Sequence, residues 1–149
     1  AGFVAIACGA SHSVALRNDG MVVTWGKDAE GQRDNSPTGA GFVAIACGVF
    51  HSVALRNDGT VATWGGNSSG QRNDMPTGDG FVAIACGALH SVALRSDGMV
   101  VAWGGDSYFS QRDDAPTGDG FVAIACCAHH SVALRNDGTV VTWGGDSYF

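Results

Sequence analysis

The sequence predicts an all-β protein, a β-propeller of four consecutive four-stranded blades, and three observations carry that prediction. One stretch, GFVAIAC-x3-HSVALRxDG-x-V-x-x-WG, is written four times in 149 residues, beginning at Gly2, Gly41, Gly80 and Gly120. A spacing of 39 or 40 residues marks repeated units that cannot bury their apolar faces alone and must stack. Each unit is built from apolar runs of strand length divided by turn residues, and no segment carries a helical period. The chain reads as one repeat domain over 1–149, with blades at 2–40, 41–79, 80–119 and 120–149. The last is incomplete, because the Gln-Arg to Pro-Thr-Gly stretch that closes the earlier copies does not recur before Phe149. Four blades are therefore expected to form an arc of a larger propeller, the alternative being a closed four-bladed ring.

The third copy shows the elements in order. In Phe81-Val82-Ala83-Ile84-Ala85-Cys86, a strand's period of two places Phe81, Ala83 and Ala85 on one face and Val82, Ile84 and Cys86 on the other. Both faces are apolar, so this is expected to be the innermost strand, buried on both sides. Next comes His90 to Arg95, then Asp97-Gly98 as a two-residue hairpin turn, then a third strand ending at Trp103. A short polar segment around Gln111-Arg112-Asp113 suits an outer edge strand, and Pro116 to Gly118 turn the chain back towards the axis.

Composition narrows the function. Hydrophobic residues at 45% and charged residues at 15% fit a folded globular chain. A formal net charge of −6, with Lys27 and seven arginines as the only strong cations, argues against a nucleic-acid surface, which needs clustered positive charge. The apolar runs are one strand long, well below the roughly 18 residues of a membrane-spanning helix. No integral membrane segment is expected.

The residues that could carry chemistry recur with the repeat. Cys8, Cys47, Cys86 and Cys126 hold one position; a closed ring could bring them together on zinc, but the short C-x2-C spacing is missing. They are expected to be reduced, metal-free packing residues, which fit a reducing compartment without fixing one. His12, His51, His90 and His130 open the second strand and are expected to bond the adjacent loop backbone. Arg17, Arg56, Arg95 and Arg135 are expected to pair at the surface with Asp19, Asp58, Asp97 and Asp137. Trp25, Trp64, Trp103 and Trp143 are expected to pack between blades. No catalytic triad, phosphate loop or isolated carboxylate pair stands apart from the repeat, so no enzyme activity, cofactor, metal or small-molecule ligand is expected.

His-Ser-Val-Ala-Leu-Arg-Asn-Asp-Gly-Thr-Val-x-x-Trp-Gly, followed by Gly-Gln, resembles the repeat of the regulator of chromosome condensation family. The resemblance covers all four copies and implies a propeller, commonly seven-bladed, used for protein recognition. The compact spacing is similar to that of the bacterial β-lactamase inhibitor propellers of the superfamily. The family's plant ultraviolet photoreceptors carry Gly-Trp-Arg-His-Thr, but Ala10-Ser11, Val49-Phe50, Ala88-Leu89 and Ala128-His129 stand here before the histidine. That departure argues against an ultraviolet sensor.

Internal comparison locates the candidate site. The loop between the first and second strands and the loop after the third should share one rim, and these are the segments that vary. They carry Ser11, Phe50, Leu89, Tyr108, Phe109 and His129, whereas the opposite rim repeats Arg-x-Asp-Gly and Pro-Thr-Gly. Aromatic anchors in a polar surround are typical of protein interfaces. The expected function is non-catalytic recognition or scaffolding, within a larger assembly or towards another protein. The alternatives are a carbohydrate-binding propeller and a guanine-nucleotide-exchange regulator of a small GTPase.

Overall fold

The computed structural model describes residues 2–105 and 111–145. Twelve strands form four antiparallel sheets of three strands each. The first holds β1 (Phe3–Cys8), β2 (His12–Arg17) and β3 (Val22–Gly26), and the second β4 (Phe42–Cys47), β5 (His51–Arg56) and β6 (Val61–Gly65). The third holds β7 (Phe81–Cys86), β8 (His90–Arg95) and β9 (Val100–Gly104), and the fourth β10 (Phe121–Cys126), β11 (His130–Arg135) and β12 (Val140–Gly144). Strand order within each sheet follows chain order, which is the up-and-down meander of a propeller blade. The first strands of successive blades, β1, β4, β7 and β10, pack against one another and line the axis, as expected from their small residues.

The fourth strand expected in each blade is absent among the described residues, and local hydrogen bonding explains why. Asp28 Oδ1 accepts the backbone N–H groups of Arg33 at 2.7 Å and Asp34 at 3.0 Å, and Asn67 does the same for Arg72 at 2.8 Å. Those are the donors a ladder would need, so the Gln-Arg segment closes as a turn. In the third blade, the turn likewise occupies 111–114 in place of the strand expected around Gln111 to Asp113.

A second correction concerns faces. In β7, Phe81 pairs with Arg95 and Ala83 with Leu94, so two residues on one strand oppose one on the other. This bulge, present in all four blades, shifts the alternation. Phe81, Ile84 and Cys86 consequently pack together against the preceding blade, while Ala83 faces the following one. Val82 is left 53% exposed, so the innermost strand is not the strand buried on both sides. That role falls to the middle strand: every residue from His90 to Leu94 is buried.

The Asp-Gly hairpin is also longer than two residues. Gly20 N–H donates to the Arg17 carbonyl at 3.0 Å and Arg17 N–H to the Met21 carbonyl at 2.9 Å. Only the glycine, at φ 80°, lies in the left-handed region, so this is a turn over Asn18-Asp19 followed by a glycine bulge.

The core lies between blades. Val53, Leu55 and Val61 of one sheet meet Phe81, Ala93 and Trp103 of the next, and the same arrangement recurs at the other two joints. The sheets do not close into a ring. Trp25, expected between blades, therefore stands 48% exposed on the first blade while Trp64 and Trp103 are fully buried.

Candidate protein-binding rim

Each joint is locked by a histidine that reaches across it. His12 Nε2 lies 2.7 Å from Ser52 Oγ, His51 Nε2 2.8 Å from Ser91 Oγ, and His90 Nε2 2.7 Å from Ser131 Oγ. The expected partner, the adjacent loop backbone, is corrected to the serine of the following blade. The serines sit close to the axial thiols, Ser52 Oγ at 3.6 Å from Cys47 Sγ and Ser91 Oγ at 3.7 Å from Cys86 Sγ. Burial pushes His51 and His90 down to about 4, helped in each case by neighbouring histidines, so both rings are neutral at pH 7. The sequence signal for the latch was present in the adjacent His-Ser pair of every copy. In a strand, neighbouring residues face opposite ways, so one reaches forward and the other receives from behind.

Glycine makes room for that ring. A Cβ built on Gly48 or Gly87 would run into the imidazole of His51 or His90, and would sit 2.7 Å from a carbonyl oxygen of the next blade. The fourth copy carries Cys127 at this position, and His130, with no following blade, is exposed. Burial also raises the Cys47 and Cys126 thiols to about 11 and shifts Cys86 upward. They are protonated at pH 7 and are poor nucleophiles. All five cysteines are free, and among the described residues no group of three or more His, Cys, Asp or Glu could hold a metal ion.

The two variable loop sets do share a rim. Lys27 N–H donates to the Ser11 carbonyl at 2.9 Å, and Gly66 N–H to the Phe50 carbonyl at 2.7 Å. The same closeness recurs where Gly105 approaches Leu89 and Gly145 approaches His129. Ser11 and His129 are exposed, Leu89 is half-buried, and Phe50 is 37% exposed, its side chain lying beside Gly66 near the Glu30 carboxylate. Tyr108 and Phe109 lie outside the described residues. Beneath these positions the loops are anchored: Gln32 and Gln71 are buried, and the Gln32 carbonyl accepts Trp64 Nε1–H at 2.9 Å. The Gln111 carbonyl accepts Trp143 Nε1–H at 2.8 Å in the same way. Rim chemistry thus changes between the first and third loops while this anchor recurs.

The opposite rim has a regular division of labour. Where threonine follows the hairpin glycine, Asp58 and Asp137 accept both its hydroxyl and its N–H, which lowers each carboxyl below the usual range. Arg56 and Arg135 then lie over the rings of Phe42 and Phe121, at 4.4 and 4.8 Å. Where methionine follows, Arg17 and Arg95 bond Asp19 and Asp97 at 2.7 and 3.3 Å, and Arg95 stays over the Phe81 ring at the longer distance of 6.0 Å. The surface pairs expected in all four blades form in these two.

An arc of antiparallel meander blades, constant on one rim and varied on the other, places the chain in the class of repeat-built β-propellers. The Regulator of chromosome condensation (RCC1) repeat model matches residues 3–32, 42–71, 81–111 and 121–149, and the chain belongs to that family. No curated protein matches it in sequence. Among solved structures, human WBSCR16 is 20% identical with a TM-score of 0.79 over 95% of this chain and 47% of its own. Prp20p from Saccharomyces cerevisiae, described together with its binding to Gsp1p and histones, is 24% identical with a TM-score of 0.76 over 95% of this chain and 45% of its own. The computationally designed Ika4 protein is 20% identical with a TM-score of 0.58 over 97% of this chain and 91% of its own. The chain thus spans about half the length of the two natural propellers. No helix among the described residues is long and apolar enough to cross a membrane.

Proposed function

We propose that this chain is a non-catalytic protein-recognition or scaffold module that binds another protein, or a larger assembly, through its variable rim. The observation that carries the reading is the sorting of difference and sameness onto opposite edges of one arc. Phe50, Leu89 and the adjoining loops differ between copies on one edge, while the hairpins repeat on the other. An exposed aromatic on a well-anchored loop supplies large contact area at small entropic cost, which suits an interface anchor. Ser11, Lys27 and His129 supply a polar surround, and the half-buried Leu89 extends the apolar centre. Tyr108 and Phe109 belong to the same loop set in the third copy and complete the proposed contact.

Photo-crosslinking from single positions tests this reading. A benzophenone side chain placed at 50 or 89 is expected to capture the partner, and one placed at 57 or 96 on the hairpin rim is not. Capture only from 57 or 96 would put binding on the hairpin edge and overturn the reading.

A further inference from the structure

The first three copies follow their third strand with a Gln-Arg pair, and in two of the three the arginine meets carboxylates of this chain. Arg33 Nε donates to Asp34 at 2.9 Å, and its Nη2 lies 3.6 Å from Asp28. Arg112 Nε donates to Asp113 at 3.0 Å and its Nη1 to Asp74 at 2.7 Å. In both copies the residue after the arginine is an aspartate. In the second copy that residue is Asn73, and Asn67 stands where the first copy has Asp28. Asn67 Nδ2 donates to Asn73 Oδ1 at 3.1 Å, so the two amides bond each other. The remaining carboxylate of that turn, Asp74, is carried away. At φ 57°, it is the one non-glycine among the described residues in the left-handed region, and its carboxylate goes to Arg112 of the next blade.

Arg72 is thereby left without a carboxylate. No ion pair or side-chain hydrogen bond joins it to a described residue, and its Nε is closed off from solvent with no partner. Both Nη groups of this half-buried side chain remain open to solvent. The backbone beneath is held in place, because Arg72 N–H donates to Asn67 Oδ1 at 2.8 Å and the preceding Gln71 is buried. The same loop borders the aromatic group of the rim: Gly66, beside Asn67, lies against Phe50 and donates to its carbonyl at 2.7 Å. In a chain of net charge −6, the second copy has lost the acids that its neighbours keep around this arginine.

We propose that Arg72 receives an aspartate or glutamate side chain of the partner, the carboxylate that the other two copies supply from within the chain. The inference rests on the reading of the variable rim as the binding surface, and it names the partner's chemistry there: an apolar group on Phe50 and an acidic side chain beside it on the same blade. A guanidinium presents its donors as a planar fork that matches a carboxylate, and such charge-assisted bonds are stronger than neutral ones. An arginine on an anchored turn loses little freedom on binding, and arginine beside an aromatic residue is a frequent centre of interface energy.

The test uses the partner captured by crosslinking from position 50 or 89. Lys27 is the single lysine of the chain, so Lys27→Arg with Arg72→Lys keeps the charge and leaves one side-chain amine, at position 72. A carbodiimide is expected to join that amine to an aspartate or glutamate of the bound partner, located by mass spectrometry. In the otherwise unchanged chain, Arg72→Gln is expected to weaken binding about tenfold or more and to flatten its dependence on salt. Asn73→Asp is expected to weaken it as well, by giving Arg72 the internal carboxylate that Arg33 and Arg112 already have. Two copies fold with that pair in place, so this variant keeps the test free of unfolding. Arg33→Gln, at an arginine already paired, is expected to stay within about twofold. Unchanged affinity in Arg72→Gln or in Asn73→Asp would overturn this inference and leave the rim reading standing. Loss of binding after phosphatase treatment of the partner would put a phosphate in the carboxylate's place and overturn it too. No capture from 50 or 89 would remove the rim reading and this inference with it.

Discussion

A neutral buried imidazole and the glycine beneath it decide how closely two blades can meet. His51 and His90 are held at about 4 in the folded chain, against an ordinary value of 6.5 when unfolded. Between those values the unfolded chain binds protons that the folded chain does not, so stability is complete above about pH 6.5 and falls as the pH drops towards 4. The loss should reach on the order of 2–3 kcal/mol for each histidine. Urea unfolding at several pH values checks this, and His51→Gln should flatten part of the slope. Gly87→Ala should destabilise by about 2–4 kcal/mol, since its Cβ meets both the His90 ring and the next blade's backbone. Thermal unfolding of that variant is the measurement. The adjacent His-Ser pair of every copy carried the signal for the latch, but reading one copy at a time points each histidine to its own loop, because the serine it meets lies about 40 residues away and one blade over.

At the level of the strand, the sequence marked three of the strands in each unit and the hairpin between the second and third. It misled on the fourth strand and on the faces of the first, for reasons that local pattern does not display. A side-chain carboxylate at Asp28 takes the backbone donors a further strand would use, and a bulge after Phe81 moves alternate residues to the other face. The middle strand carries the core as a result. Val53→Ala, at a site with no exposure, is expected to cost about 2–3 kcal/mol by loss of packing in the joint. Val43→Ala, on the axial strand at 53% exposure, is expected to stay within about 0.5 kcal/mol. Denaturant midpoints for the pair separate the two strands directly, and equal losses would contradict this account of where the core lies.

For the whole molecule, the four-fold repetition made the open arc legible before any contact was known, since repeat number and period together limit the architecture. The candidate site was legible only as a contrast between copies. The loops at Ser11, Phe50, Leu89 and His129 do lie on one rim, beside the loops that follow the third strands, while what they bind is outside anything the repeat encodes. The central claim is that this rim is the working surface. It is tested most directly by the affinity of a purified partner, identified by crosslinking, for folded Phe50→Ala and Asp58→Ala variants. The account predicts a loss of about thirtyfold for Phe50→Ala, the size of an aromatic anchor, and a change within about twofold for Asp58→Ala. Full affinity in Phe50→Ala together with a large loss in Asp58→Ala would contradict it.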